Sequence, residues 1–525
     1  MAQKTIIQPG VWIVLIALVL IGAFFGVKAL QKNGGFQKIT NAVAPTGNVP
    51  LSATIKPVKM DGKKPLLVAL NTWVGFAPGV YYNSGFIPTA QSRYYSELGT
   101  VVQFIKMDNF DDSRRAWTTD RVDIICNTAD VLSTEIPSFF IPFSPKVFMQ
   151  IDWSRGGDKM VVRQGINTVA DLKGKKIAVA LNSPSQSLII ITLEAGGLTW
   201  DDIKDNLIKC STALEAATVF KAGDADAALV WAPDDGDCIA AMPGSKVLIS
   251  TAKARFAIAD IFYVKDKTLQ SRRPEISAFV EGWLKAAAEL NTNPQARATA
   301  TTLMAQCFST NEAVMDLSNA RFATYGDNVN FFNISPVDCK CVKGEDLYTK
   351  MAKAFYKIGF APKDVPAWRD ISDITILQSL KSKFDGPQHN AEDDITFTTP
   401  TKQEKTAAPV AVKRITINFA TAVYQLSDDA KYIIDKDFAN VAKAFAGYRV
   451  RIEGNTDNVG NPESNMALSR KRAQSVANYL VSTYSFNPNR FIIVGNGQDK
   501  PVASNDSPEG RSENRRTDFE LVGSN

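Results

Sequence analysis

Two stretches of this 525-residue chain are too polar to pack a core, and they divide everything else. Asn33 to about Lys64 is rich in Gly, Pro, Asn, Thr and Lys. Residues 383 to about 413 read KFDGPQHNAEDDITFTTPTKQEKTAAPVAVK, polar with three prolines. Such segments bury too little apolar surface to offset the entropy of ordering, so both read as tethers. They leave an N-terminal piece, a body over residues 64–382 and a C-terminal domain over 413–525, with linkers at 31–63 and 383–412.

The N-terminal piece is governed by one run. Val11 to Leu30, VWIVLIALVLIGAFFGVKAL, is 20 residues long and its only charge is Lys28, near the end. At ~1.5 Å per residue it spans ~30 Å, one hydrocarbon core. The run is expected to be an uncleaved transmembrane helix preceded by a cytoplasmic tail, residues 1–10. A cleaved signal peptide competes with this, but the small-residue triplet Ala42-Val43-Ala44 lies well past the apolar run. The flanking lysines favour the opposite orientation by one charge, which large exported domains override. Gly22 and Gly26 form a G-x-x-x-G step that suits a helix dimer. From Val11 to Val27 there is no ionisable side chain, which argues against an ion-conducting, stator-like subunit.

Composition narrows the chemistry. Lys+Arg is 59 against Asp+Glu 54, a net +5 without a dominant basic stretch, so nucleic acid is not an expected partner. His389 is the only histidine and lies in the second linker. That excludes zinc sites with two histidines and leaves a Ser-His-Asp mechanism one badly placed base. The six cysteines form no C-x-x-C pair. No enzyme activity, catalytic residue, metal or cofactor is expected.

In the body, short apolar runs alternate with helical stretches: Pro65–Leu70, Val122–Ile125, Lys159–Arg163, Lys176–Ala180 and Ala227–Trp231, with helices such as Ser185–Ala195 and Ala213–Ala222. This argues for α/β with largely parallel sheets, which bind ligands beyond the carboxyl ends of strands. Asn182-Ser183-Pro184-Ser185-Gln186 ends a strand and opens a helix. Free N–H groups there suit an anion, although Ser183 and Gln186 also have capping-box spacing.

The segments LNTWVGFAPGVYYNSGF, INTVADLKGKKIAVALNSPSQSLIIITLEAGGLTWDDI, FKAGDADAALVWAPD and IADIFYVKDKTLQSRRPEISAFVEGWLKAAAELNTNP occur in this order. They resemble the periplasmic solute-binding proteins of the nitrate, sulfonate, taurine and thiamine-precursor uptake class. The resemblance implies a two-lobed body of the type II binding-protein kind. Its ligand cleft would be built from Trp73, Gly75, Ser183, Ser185 and Trp231, with Asn127, Asp130 and Asp260 just past strands. No arginine stands at a matching strand end, so the ligand class stays open; an anionic or heterocyclic compound is the expectation.

The C-terminal domain is the sharpest signal. Ile415, Ile417 and Phe419 alternate as a strand, and Ile434, Phe438, Val441 and Phe445 recur as one helical face. Val450 and Ile452, then Phe491–Val494 and Thr517–Leu521, read as further strands around a helix opened by Asn461-Pro462. IEGNTDNVGNPESNMALSRKRAQSVANYLV, VGNGQDKPVASND and EGRSENRR resemble the OmpA C-terminal domain shared with MotB and Pal. That family implies an α/β sandwich that binds peptidoglycan through the diaminopimelate of its stem peptide. Asn455 departs from it where many members have His.

Diaminopimelate presents an ammonium and a carboxylate on one carbon, so its site needs a fixed anion and a fork of donors. Asp457, in the turn Thr456-Asp457-Asn458, and Arg472 match those roles, with Asn465 on the same helix face. An Asx turn would also explain Asp457, and a solvated helix charge Arg472; both are expected at the surface. For Asn514, Arg515 and Arg516 a structural ion-pair network is the competing role, and it is the expected one for Arg516.

The sequence thus describes a bacterial inner-membrane protein, single-pass, with its bulk in the periplasm. Its function is read as binding peptidoglycan while presenting the solute-binding-like module as scaffold, sensor or docking unit. A wall-tethered substrate-binding component of an ABC-type uptake system is the alternative, and an accessory subunit of a stator-like complex the third. The expected partners are peptidoglycan, the membrane, and a small-molecule ligand, membrane protein or second copy of the chain.

Overall fold

A computed structural model describes residues 55–312, 314–334, 342–417, 419 and 423–523. Val11–Leu30 lies outside these residues; among those described, no helix is long and apolar enough to cross a membrane.

Strands β1 (Leu66–Leu70), β2 (Val102–Lys106), β3 (Ile124–Thr128), β4 (Pro145–Ser154), β10 (Ala259–Lys265) and β11 (Ala320–Phe322) form the first sheet of the body, in the order β11-β4-β10-β3-β1-β2. The second sheet holds β5 (Asp158–Val162), β6 (Ile177–Ala180), β7 (Leu207–Cys210), β8 (Ala227–Trp231) and β9 (Lys246–Ser250), ordered β7-β6-β8-β5-β9. Neither sheet is largely parallel. β10 runs antiparallel to both β3 and β4, and β5 antiparallel to both β8 and β9. The reversals arise because each lobe returns one strand of the crossing chain into its own sheet. Apolar runs such as LLVAL are buried on both faces because helices cover both sides. Helix α1 (Pro184–Ala195) serves the second lobe and α2 (Arg273–Thr292) the first. Trp283 of α2 meets Phe262 of β10 edge to face at 4.9 Å, the geometry ring quadrupoles favour.

The lobes are joined at residues 155–157 and 251–258. Thr251 ties the two crossings together: its Oγ1 accepts from the Gly156 and Asp158 amides at 2.9 and 3.2 Å and bonds the Ser154 hydroxyl at 2.8 Å. Helix α3 (Gly344–Lys357) also reaches the second lobe, pairing Lys350 with Glu194 at 3.0 Å.

The C-terminal domain is a four-stranded sheet ordered β12-β15-β13-β14, from β12 (Ala411–Ile415), β13 (Arg449–Gly454), β14 (Phe491–Gly495) and β15 (Thr517–Val522). Ile434, Phe438, Val441 and Phe445 are all buried on it. Helix α4 (Pro462–Tyr484) packs on β13 and β14, burying Ala473, Val476, Ala477 and Leu480.

The segment expected to be a free tether is a docked strap. Arg449 donates to the Thr398 carbonyl and to Glu404, and Arg451 to the carbonyls of Lys405 and Ala407. Within the strap, Glu392 clamps both lobe crossings: it pairs with Arg155 at 2.5 Å and with Arg255. The domain beyond it docks on the second crossing too, with the Gly447 amide on the Lys253 carbonyl at 2.9 Å and the Phe256 amide on Ala444. Burial pulls the Arg155 guanidinium down to about 10, opposed by Glu392. Glu392→Gln leaves that buried cation without its charge partner, so the body should lose about 1.5–3 kcal/mol in chemical denaturation. Unchanged stability would mean that the clamp contributes nothing.

Candidate functional sites

The two lobes close on a narrow cavity of about 30 Å³, lined by Trp73, Phe110, Asn127, Asp158, Trp231 and Asp260, among others. Asn127 and Asp260 lie inside strands β3 and β10, not past them, because both strands run on to the lobe junction. Asp260 stands directly opposite Thr128 on one side and Asp152 on the other. Directly opposed side chains share a sheet face, so the three form one row. Trp73 Nε1 donates to Asp152 Oδ2 at 3.2 Å. Gly75 and Gly157 make room for this: a Cβ on Gly75 would overlap the Asp152 carboxylate, and one on Gly157 the Trp73 ring.

The remaining predicted residues are arranged less directly. Ser183 bonds the Ala180 carbonyl at 2.8 Å and makes no cap bond, while Gln186 Oε1 takes the Asn182 amide at 2.7 Å. Both Asp130 oxygens and the Ser185 hydroxyl are buried without a hydrogen bond. The Asp130 carboxyl comes from the first lobe yet sits beside Ser187 at the start of α1, in the second. The helix start expected to attract an anion therefore already faces a carboxylate of this chain.

Asp152 and Asp158 went unrecognised in the sequence. Both are buried, and the one usable signal for Asp152 was the alternation of apolar and polar residues around it in MQIDW. Burial pushes Asp130 up to about 7 and Asp158 to about 6, with nearby hydroxyls offsetting part of the shift. Asp260 is raised well above the carboxylate range by burial and then by the Asp152 charge.

In the C-terminal domain, Asp457 and Arg472 are both buried, at 9% and 7% exposure, contrary to the expected surface placement. Asp457 Oδ1 accepts the Val459 amide at 3.1 Å, as an Asx turn would, and Oδ2 accepts from Arg515 at 2.6 Å. Arg472 donates to the Val423 carbonyl at 3.1 Å and its guanidinium lies 4.8 Å over the Phe419 ring. Asn465 bonds the Val459 carbonyl at 3.1 Å, fixing the turn, and Thr456 bonds the Asp457 carbonyl. Asn458 is exposed. Asn455 bridges Asp518 and Asn496, which preserves the strand end. Arg516 pairs with Asp518 at 3.0 Å, as a structural ion pair would. Arg515 stands out in the sequence only as one of a run with Asn514 and Arg516; its adjacency to Asp457 is tertiary and invisible in spacing. Phe419, Asn455, Arg472, Arg515 and Arg516 line a small depression here. A larger cavity of about 320 Å³, lined by Phe256, Phe331, Phe397 and Phe486 among others, lies at the seam of body, strap and C-terminal domain, away from both sites.

Residues 418–515 match the OmpA family and residues 159–297 the NMT1/THI5 like family. Outer membrane protein A of Bordetella avium is 41% identical over 99 residues, 19% of this chain and 50% of that protein. Peptidoglycan-binding protein ArfA of Mycobacterium tuberculosis is 43% identical over 90 residues, 17% of this chain and 27% of that one. The chain thus spans half or less of the relatives it matches. The periplasmic aliphatic sulphonate binding protein SsuA of Escherichia coli aligns with 58% of this chain and 95% of its own at 17% identity, with a TM-score of 0.45. The chain joins an NMT1/THI5-like domain in its middle to an OmpA domain at its C-terminal end.

Proposed function

We propose that this chain is a single-pass inner-membrane protein of the bacterial envelope that grips peptidoglycan with its OmpA-like domain. Beside the wall it holds the solute-binding-like module as a sensor or docking unit, without catalysis. The reading is carried by the convergence of Asp457, Arg515 and Arg472 at one end of β13. There the fixed anion and the guanidinium forks suit an ammonium and a carboxylate on one carbon. The membrane anchor rests on the apolar run Val11–Leu30.

The test is sedimentation of the full chain in detergent with intact sacculi. Diaminopimelate-type walls should carry the protein down at least about tenfold more strongly than lysine-type walls, which lack the second carboxylate. Equal binding to both sinks the diaminopimelate assignment, and no binding to either sinks wall attachment. A tethered uptake component is the second reading. The Glu392 clamp on both crossings favours the sensor, because uptake requires lobes that part and reclose in every cycle.

A further inference from the structure

We infer that the cleft of the body is built for an organic cation, a protonated amine head group, rather than for an anion. This deepens the reading of the body as a solute-binding module and rests on it.

Two carboxylates, Asp158 from the second lobe and Asp260 from the first, face one cavity together with the indoles of Trp73 and Trp231 and the ring of Phe110. Phe110 and Trp231 meet edge to face at 6.5 Å. Aromatic faces beside carboxylates attract a cation through quadrupole and charge together. No Lys, Arg or His lines the cavity. An anion entering it would meet the carboxyls of Asp158 and Asp260, with Asp152 behind them, and would find no cationic side chain to pair with.

A second observation concerns a hydroxyl. Thr128 lines the cavity and is 3% exposed; its hydroxyl lies beside the Asp130 carboxyl but makes no hydrogen bond of good geometry. A buried hydroxyl left unpaired is costly, and the Thr128 oxygen can accept from a partner that brings its own N–H groups. A metal ion fits less well, because among the described residues no three acidic, sulfur or imidazole groups converge on one point. The residual volume, about 30 Å³, admits an ammonium head but little more, so a longer amine needs the lobes to part.

Asp152 and Asp260 are opposed across β4 and β10, and burial with mutual repulsion favours a single charge on the pair. A bound cation compensates further ionisation, so amine binding should release protons to the buffer near neutral pH.

The test is calorimetry and thermal unfolding of the full chain at pH 8 with putrescine, ethanolamine and ethanesulfonate. The two amines should raise the melting temperature saturably and quench tryptophan fluorescence, and ethanesulfonate should do neither. Asp158→Asn and Asp260→Asn should each weaken amine binding about tenfold to a hundredfold. If Asp260→Asn does not fold, Asp158→Asn, isosteric and on the other lobe, decides the matter. Binding of ethanesulfonate without the amines overturns the cation assignment but leaves the solute-binding reading standing. Binding of neither class by the folded protein overturns both.

Discussion

Arg472→Ala should weaken attachment of the full chain to diaminopimelate-type sacculi tenfold to a hundredfold. The guanidinium is the fork proposed for the ligand carboxylate, and hydrogen bonds between charged partners are worth ~1.5–3 kcal/mol. Asp457→Ala should cost as much, for a second reason as well: it removes the ion-pair partner that Arg515 holds at 2.6 Å. Arg472→Lys should not restore binding fully, because an ammonium lacks the planar pair of donors. Both side chains are buried, so circular dichroism and the denaturation midpoint must accompany the sedimentation. A folded Asp457→Ala protein that binds the wall like the native chain would show that the site is elsewhere in the domain.

The stability of the body should fall as pH rises from about 4.5 to 8, the reverse of ordinary acid sensitivity. Asp130, Asp152 and Asp158 are buried, and their folded-state pKa values lie above that of an unfolded aspartate. Between those values the folded chain holds more protons than the unfolded one, so raising the pH favours unfolding. The benefit is complete below the unfolded value near 4 and is lost through the folded values near 6 and 7. For Asp130, displaced from 3.8 to about 7, the penalty above pH 7 is on the order of 4 kcal/mol. The charge acting on it is that of Asp158, which raises it further. Asp130→Asn should therefore stabilise the protein by about 2–4 kcal/mol at pH 8 and flatten the dependence. A free energy of unfolding that is level or rising from pH 5 to 8 would refute this account.

Much of this architecture is legible in the residues. PLLVAL and AALVW announce buried strands, and the face formed by Ile434, Phe438, Val441 and Phe445 is the face that packs. What stays hidden is polar. β4, ten residues long, was unrecognised because Gln150 and Asp152 interrupt its apolar run, yet both are buried at the lobe junction. Arg449, Arg451 and Glu453 alternate with apolar residues as a solvent-facing edge would, but the strap covers the two arginines and Asn496 and Lys500 hold Glu453. The strap itself docks largely through the carbonyls of Thr398, Lys405 and Ala407, which every residue type possesses and no composition reveals. Likewise Asp457 and Arg472 stand out by their motif, whereas Arg515 acquires its place only when β13 and the start of β15 are brought together.

The docked strap turns a leash into a ruler. Free, the segment from residue 385 to residue 410 would let the wall-binding end wander over tens of ångströms, since an extended chain reaches ~3.3–3.6 Å per residue. Laid down against the body and gripped at Glu392 and Thr398, it contributes no reach at all. A wall held at Arg472 is then held at a set offset and angle from the cleft, and any play between membrane and wall must be taken up elsewhere along the chain.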